Sequence, residues 1–158
     1  MTGEVYVVPM EPGHLDQVMG IEHQCFTAPW SLSTFLREIT ENPYAVYLVA
    51  VEAGTVVGYC GTWFVLDEAH ITNIAIDPQW QRRGVAKRLL GQMFSLARAR
   101  GVRRATLEVR ESNMAARRLY ASLGFIEAGI RPGYYSDNNE DAVIMWLEDI
   151  GASGSEGQ

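Results

Sequence analysis

Residues 45–52 and 55–65 are two β-rich runs with only Ala53 and Gly54 between them. Strands joined by two residues can pair only as an antiparallel hairpin, so the chain has to build a sheet around this pair. Residues 5–8 read as a further strand, stopped by Pro9, Pro12 and Gly13. After Asp67 and Glu68, residues 69–77 read as another, closed by Asp77 and Pro78. Residues 105–110, 125–130 and 142–147 complete a set of about seven strands. Helical spacing of apolar residues covers 14–26, the stretch after Ser31 as far as Asn42, a run from Val85 that closes at Gly101, and 113–123. Ser31 is placed as an N-cap, and so is Asn113. Four helices flanking a mixed sheet define a single α/β (α+β) domain over residues 1–150. The small, polar tail 151–158 reads as flexible.

Composition bounds the function. With 158 residues, 47% hydrophobic, the chain is long enough for one well-filled core. No apolar run approaches the roughly 18 residues of a membrane span, and no basic region followed by an apolar stretch opens the chain, so a soluble, cytoplasmic protein is expected. Cys25 and Cys60 are too few for a disulfide framework, and the spacing of His14, His23 and Cys25 does not suit a metal.

The net charge of -6 hides two opposed regions. Residues 78–120 hold eleven Arg or Lys against Glu108 and Glu111, and the remainder holds Arg37 and Arg131 against seventeen acids. One segment is suited to an anion and the other to a cation, although such blocks also serve as solvated faces. Within the basic segment, Gln81-Arg82-Arg83-Gly84-Val85-Ala86 sits between a strand and a helix. Unpaired N–H groups and the positive end of the helix dipole gather there, and together they hold phosphate well. Arg82 and Arg83 oppose that dipole, so they fit best with an anion bound, or else they simply project into water. The segment has neither the Gly-Lys-Ser/Thr of nucleotide hydrolases nor a three-glycine dinucleotide fingerprint.

Strand alternation puts Glu108 and Thr106 on one face and Leu107 and Val109 on the other. An acid there suits general-base work if its pKa is raised; the alternative is ion pairing with Arg110 or a neighbouring arginine. Tyr120, beside Leu119 and Leu123, reads as a core residue whose hydroxyl needs a partner. Cys25 is open to two readings, a nucleophile or an inert buried thiol.

Taken together, Gln81-x-x-Gly84-x-Ala86, Leu107-Glu108-Val109-Arg110, Asn113, Leu119-Tyr120 and Leu123-Gly124-Phe125 resemble the GCN5-related N-acetyltransferase (GNAT) superfamily over residues 4–149. Pro29-Trp30-Ser31, Asp67-Glu68-Ala69 ahead of Asn73-Ile74-Ala75, and Tyr134-Tyr135 ahead of Glu140-Asp141-Ala142 narrow the likeness to bacterial RimI-type enzymes. That group acetylates the N-terminal alanine of a small-subunit ribosomal protein. The resemblance implies a mostly antiparallel twisted sheet and acetyl-CoA as co-substrate, with no metal. It places the pyrophosphate on Arg82, Arg83, Gly84, Val85, Ala86 and Lys87, and the pantetheine arm on Ile74, Ala75 and Ile76, with a further contact at Asn113. It makes Glu108 the general base and Tyr120 the general acid. His70 matches no role in it.

At pH 7 about one α-amine in ten is neutral against about one lysine in two thousand, which favours a protein N-terminus as acceptor. A lysine or small-molecule amine is the alternative, as is a non-catalytic acetyl-CoA-binding protein. The acidic sum argues against a nucleic-acid partner, and the basic residues gather at a helix start instead of alternating with exposed aromatics. A monomer with no membrane partner is expected.

Overall fold

The computed structural model describes residues 4–151, so the tail predicted at 151–158 falls almost wholly outside it. Seven strands form one sheet: β1 Val5–Pro9, β2 Ala45–Glu52, β3 Thr55–Val65, β4 Glu68–Ile76, β5 Arg104–Arg110, β6 Ile126–Tyr135 and β7 Glu140–Leu147. Four helices flank it: α1 Leu15–Cys25, α2 Leu32–Glu41, α3 Val85–Ala99 and α4 Met114–Ser122. The strand order is β1-β2-β3-β4-β5-β7-β6, and among the described residues β4–β5 is the one parallel pair.

Local chemistry sets most boundaries. Ala53 (φ 51°) and Gly54 (φ 83°) both adopt the left-handed conformation that a two-residue hairpin needs to match strand twist. Ser31 caps α2 by accepting the Thr34 N–H at 3.1 Å, and Asn113 caps α4 by accepting that of Ala116 at 3.1 Å. Each such cap contributes on the order of 1 kcal/mol.

Two differences from the sequence expectation have physical causes. The first helix starts at Leu15 because Pro12–His14 forms a separate 3-10 turn, closed by the Glu11 N–H donating to His14 Nδ1 at 3.0 Å. The sixth strand does not stop at residue 130 but runs through Pro132 to Tyr135, with its register shifting between Arg131 and Tyr135. Proline is tolerated there because β6 is the edge strand, where a missing N–H breaks no ladder bond.

Each face of the sheet has its own core. Leu15, Val18 and Ile21 of α1 and Phe35 of α2 pack against Tyr47, Val49, Tyr59 and Ala75. On the other face Leu89, Leu90, Met93 and Phe94 of α3 and Tyr120 of α4 pack against Leu48, Cys60, Ile71, Leu107 and Met145. Full burial of side chains this size stabilises by roughly 1.5–3 kcal/mol each.

A bulge shapes the middle of the sheet. Thr62 pairs with Ile71 and Gly61 with Asn73, which leaves Thr72 as an extra residue in β4. It reverses the alternation: Ala69 and Ile71 lie in the α3 core before it, and Ile76 lies there after it, while Ala75 lies in the α1 core. β4 and β5 pair only from Glu68↔Arg104 to His70↔Thr106 and then diverge, opening a wedge between Ile71–Ile76 and the rest of β5.

Candidate active site

The α1 and α2 side chains cover the β2–β3 part of their face, and the β4–β5–β7 part stays open. A cleft of about 390 Å³ lies there, lined by Trp63, Val65, Glu68, His70, Thr106, Glu108, Arg131, Ile144 and Trp146. Strand alternation supplies the lining, because Leu107, Val109, Val143 and Met145, the neighbours of these β5 and β7 residues, are buried in the opposite core.

Glu108 is the charged centre of the cleft. Its Oε1 lies 2.8 Å from His70 Nε2, and its Oε2 lies 3.7 Å from Arg131 Nε. The His70 hydrogen bond holds the Glu108 carboxyl below its ordinary range, and the charges of His70 and Arg131 act the same way against the opposing effect of burial. Glu108 is therefore a carboxylate at neutral pH. The raised pKa that the general-base reading attached to this position is not found, because its partners come from β4 and β6. An ionised carboxylate only accepts, so His70 carries the shared proton on Nε2. The His70 ring stands edge-on to Trp63, with centroids 6.3 Å apart.

The pairing with Arg110 that the sequence left open is not made. Arg110 turns instead to Asp137 at 2.8 Å and Glu140 at 3.2 Å.

The wedge offers backbone groups. The Asp77 N–H donates to the Val57 carbonyl at 2.9 Å, whereas the Ile76 carbonyl accepts from Gln81 Nε2 at 3.1 Å and from the Cys25 thiol at 3.4 Å. Backbone groups alternate sides along a strand, so Ile74 and Ile76 aim theirs into the wedge and Ala75 aims its own at β3. Of the three predicted residues, only Ile74 and Ile76 present edge groups there.

The α3 N-terminus also matches the expected anion site. Gly84 is the N-cap at φ 81°, a conformation that strains any side chain, and it makes no side-chain cap bond. The Arg88 N–H donates to the Gly84 carbonyl at 3.1 Å, and the Val85, Ala86 and Lys87 N–H groups of the first turn are directed out of the helix end. Arg82 also sits at positive φ, 66°, a backbone strain of the kind that gathers at functional sites. Arg83 lies over the Trp80 ring at 4.9 Å.

Tyr120 lies elsewhere. It is 5% exposed, packs against Phe125 at 5.7 Å between centroids, and shares a core with Leu107 and Val109. Glu108 and Tyr120 thus occupy opposite faces of β5. Burial, with smaller contributions from Cys60 and Tyr135, pushes the Tyr120 phenol above its ordinary range and keeps it protonated. Asn113 Oδ1 is engaged as the α4 cap. Cys25 is not an activated thiol, because burial and Glu22 raise its pKa. Among the described residues no cluster of His, Cys, Asp or Glu is placed to hold a metal ion, and no helix is long and apolar enough to cross a membrane.

Sequence reasoning gave no role to His70 and did not identify Trp63 or Trp146 as cleft residues. The signal for His70 is the parallel register that sets it beside Thr106, two residues from Glu108.

The model of the acetyltransferase (GNAT) family matches residues 15–125. A Bacillus subtilis (strain 168) protein described as a putative ribosomal protein bS18-alanine N-acetyltransferase is 46% identical over 133 residues, 84% of this chain and 88% of its own. The crystal structure of the ribosomal-protein-S18-alanine N-acetyltransferase from Escherichia coli superposes with a TM-score of 0.83 at 38% identity, covering 91% of this chain and 93% of that one. Arabidopsis thaliana NAA60 in complex with acetyl-CoA, 18% identical, shares the fold with a TM-score of 0.83 over 90% of this chain and 97% of its own.

Proposed function

The chain belongs to the acetyltransferase (GNAT) family, and from that premise we propose that it moves the acetyl group of acetyl-CoA to the N-terminal amine of a protein, an alanine of a small-subunit ribosomal protein. The observation that carries this is the Glu108–His70 pair, set in an open cleft beside the mouth of the β4–β5 wedge. The Bacillus subtilis relative and the Escherichia coli structure, both named for the alanine of the bS18 protein, support the acceptor.

The residues present fit the co-substrate. The N–H groups at the start of α3, with Arg82, Arg83 and Lys87 around them, suit its phosphates, and the edge groups of Ile74 and Ile76 suit an amide-bearing arm. The further cofactor contact is assigned to Asn113, at the head of α4, on the family likeness. Bound acetyl-CoA supplies a thioester carbonyl as electrophile.

Glu108 then takes a proton from the attacking amine, directly or through one water. The N–C bond formed makes that nitrogen strongly acidic, so a carboxylate of lowered pKa is a sufficient base. His70 fixes the Oε1 lone pairs and leaves Oε2 towards Arg131 and the cleft. A wedge-facing N–H of Ile74 or Ile76 stabilises the negative charge that develops on the carbonyl oxygen. When the C–S bond breaks, its electron pair stays on sulfur, and that thiolate takes its proton from the Tyr120 hydroxyl, which burial on the other face of β5 keeps protonated and which later regains a proton as Glu108 loses its own.

The test uses acetyl-CoA with two peptide sets, one with free N-terminal alanine and one with blocked N-termini and internal lysine, read by mass spectrometry. Product in the first set is expected. Product confined to the second would overturn the acceptor assignment.

A further inference from the structure

Two connections flank the open end of the wedge. Residues 26–31, between α1 and α2, lie on the β4 side, where the Cys25 thiol meets the Ile76 carbonyl at 3.4 Å. Residues 136–139, between β6 and β7, lie on the β5 side, where Arg110 holds them. Arg110 Nη2 donates to Asp137 Oδ2 at 2.8 Å, and Nη1 reaches Asn138 Oδ1 at 3.1 Å and Glu140 Oε1 at 3.2 Å. The guanidinium also stacks 4.1 Å above the Tyr135 ring. Four contacts on one planar fork fix the Arg110 side chain, an arrangement lysine cannot reproduce.

One bond crosses from this cluster to the other side: Thr27 Oγ1 donates to the same Asp137 Oδ2 at 2.6 Å. The acceptor oxygen is shared, so Thr27 meets Asp137 at the position where Arg110 holds it. The far end of the 26–31 segment is fixed independently, by the Trp30 N–H donating to Glu22 Oε2 at 2.9 Å. Glu22 is 2% exposed, and the Tyr59 hydroxyl donates to its other oxygen. The result is a strap of side chains, Thr27–Asp137–Arg110, joining the two sides of the wedge. Arg110 shares the face of Glu108, so the strap is rooted two residues further along β5, about 6.6 Å from the base.

We propose that Arg110 is a positioning residue for the acceptor: through Asp137 and Thr27 it ties the two connections beside the wedge into one strap, which fixes where the acceptor's first residues lie relative to Glu108. This rests on the acceptor cleft being the amine site. Its logic is preorganisation, because two connections already tied together need not be ordered when the acceptor binds. The strap does not touch the reacting atoms, so its loss weakens acceptor binding and leaves the chemical step and acetyl-CoA binding in place.

The experiment compares wild type, Thr27→Val, Arg110→Met and Arg110→Lys. Thr27→Val keeps the shape and removes only the crossing bond. It is expected to raise the KM of the acceptor peptide about three- to tenfold, the range for one ordinary protein hydrogen bond, with kcat and the KM of acetyl-CoA within twofold of wild type. Arg110→Met is expected to do at least as much, Arg110→Lys is expected not to rescue it, and the Thr27→Val/Arg110→Met double variant is expected to add little to Arg110→Met alone. An unchanged acceptor KM in Thr27→Val overturns the proposal.

KM is read on whichever acceptor the wild type modifies, so a wrong acceptor class and a wrong strap show up in different measurements. Hydrogen exchange supplies a readout independent of activity. Arg110→Met is expected to speed exchange in both 26–31 and 136–140, and faster exchange in 136–140 alone would equally contradict the strap.

Discussion

The α3 N-terminus and the β4–β5–β7 cleft are built on opposite plans. The helix end is made of backbone: a glycine N-cap at φ 81°, three outward N–H groups, and no side-chain cap. The cleft is made of side chains from five strands, β3 to β7, centred on Glu108, with His70 from β4 and Arg131 from β6. A backbone site depends on conformation, so it tolerates many side chains and fails when φ is blocked. A side-chain site depends on register, and single substitutions there change its chemistry.

The sharpest way to break this contrast is Tyr120→Phe. The ring packing against Phe125 survives and only the hydroxyl is lost, so kcat should fall about 10²-fold or more in steady-state assays while the thermal midpoint stays near wild type. A wild-type kcat removes Tyr120 from the reaction. Next comes Gly84→Ala, which has open space for its methyl but the wrong φ, at a strain of roughly 1–2 kcal/mol. The KM of acetyl-CoA should rise about tenfold with the acceptor KM unchanged, and an equal rise in both would merge the two regions. His70→Gln removes the leading cause of the depressed Glu108 pKa. The Glu108 carboxyl should then titrate at higher pH by NMR, with activity at pH 7 reduced only several-fold; a downward or absent shift breaks the pair.

The smallest effect concerns Glu140, which the Ser112 contacts, with Arg110 and Asn138, hold down at about 2. A folded-state pKa below the unfolded value adds stability that is full above the usual carboxylate range, near 4.5, and is lost as pH falls towards 2. Glu140→Gln should therefore flatten the acid limb of an unfolding series in that window and leave stability between pH 6 and 8 with no further pH dependence. An unchanged acid limb would show that the Glu140 contacts are not formed in solution.

What could be read from the sequence follows the same divide. The Ala53-Gly54 turn, the Ser31 and Asn113 caps and the Gly84 helix start are local, and each is visible within a few residues. The alternation that separates Glu108 from Leu107 and Val109 is local too. The direction of the Glu108 pKa was not legible, because it depends on His70, 38 residues away, and on Arg131 across β7. The bulge at Thr72 and the passage of β6 through Pro132 depend on which strands are neighbours and which lies at the edge. Thr27 and Asp137, 110 residues apart, leave no trace in spacing at all.

The proposed chemistry turns on Glu108 acting in the cleft and not at the helix end. Glu108→Gln, assayed with saturating acetyl-CoA and an alanyl-terminated peptide while acetyl-CoA affinity is followed by calorimetry, tests that most directly. The expected result is a fall in kcat of about 10²- to 10⁴-fold with the Kd for acetyl-CoA unchanged and the fold intact. A folded variant that transfers acetyl at the wild-type rate would contradict it.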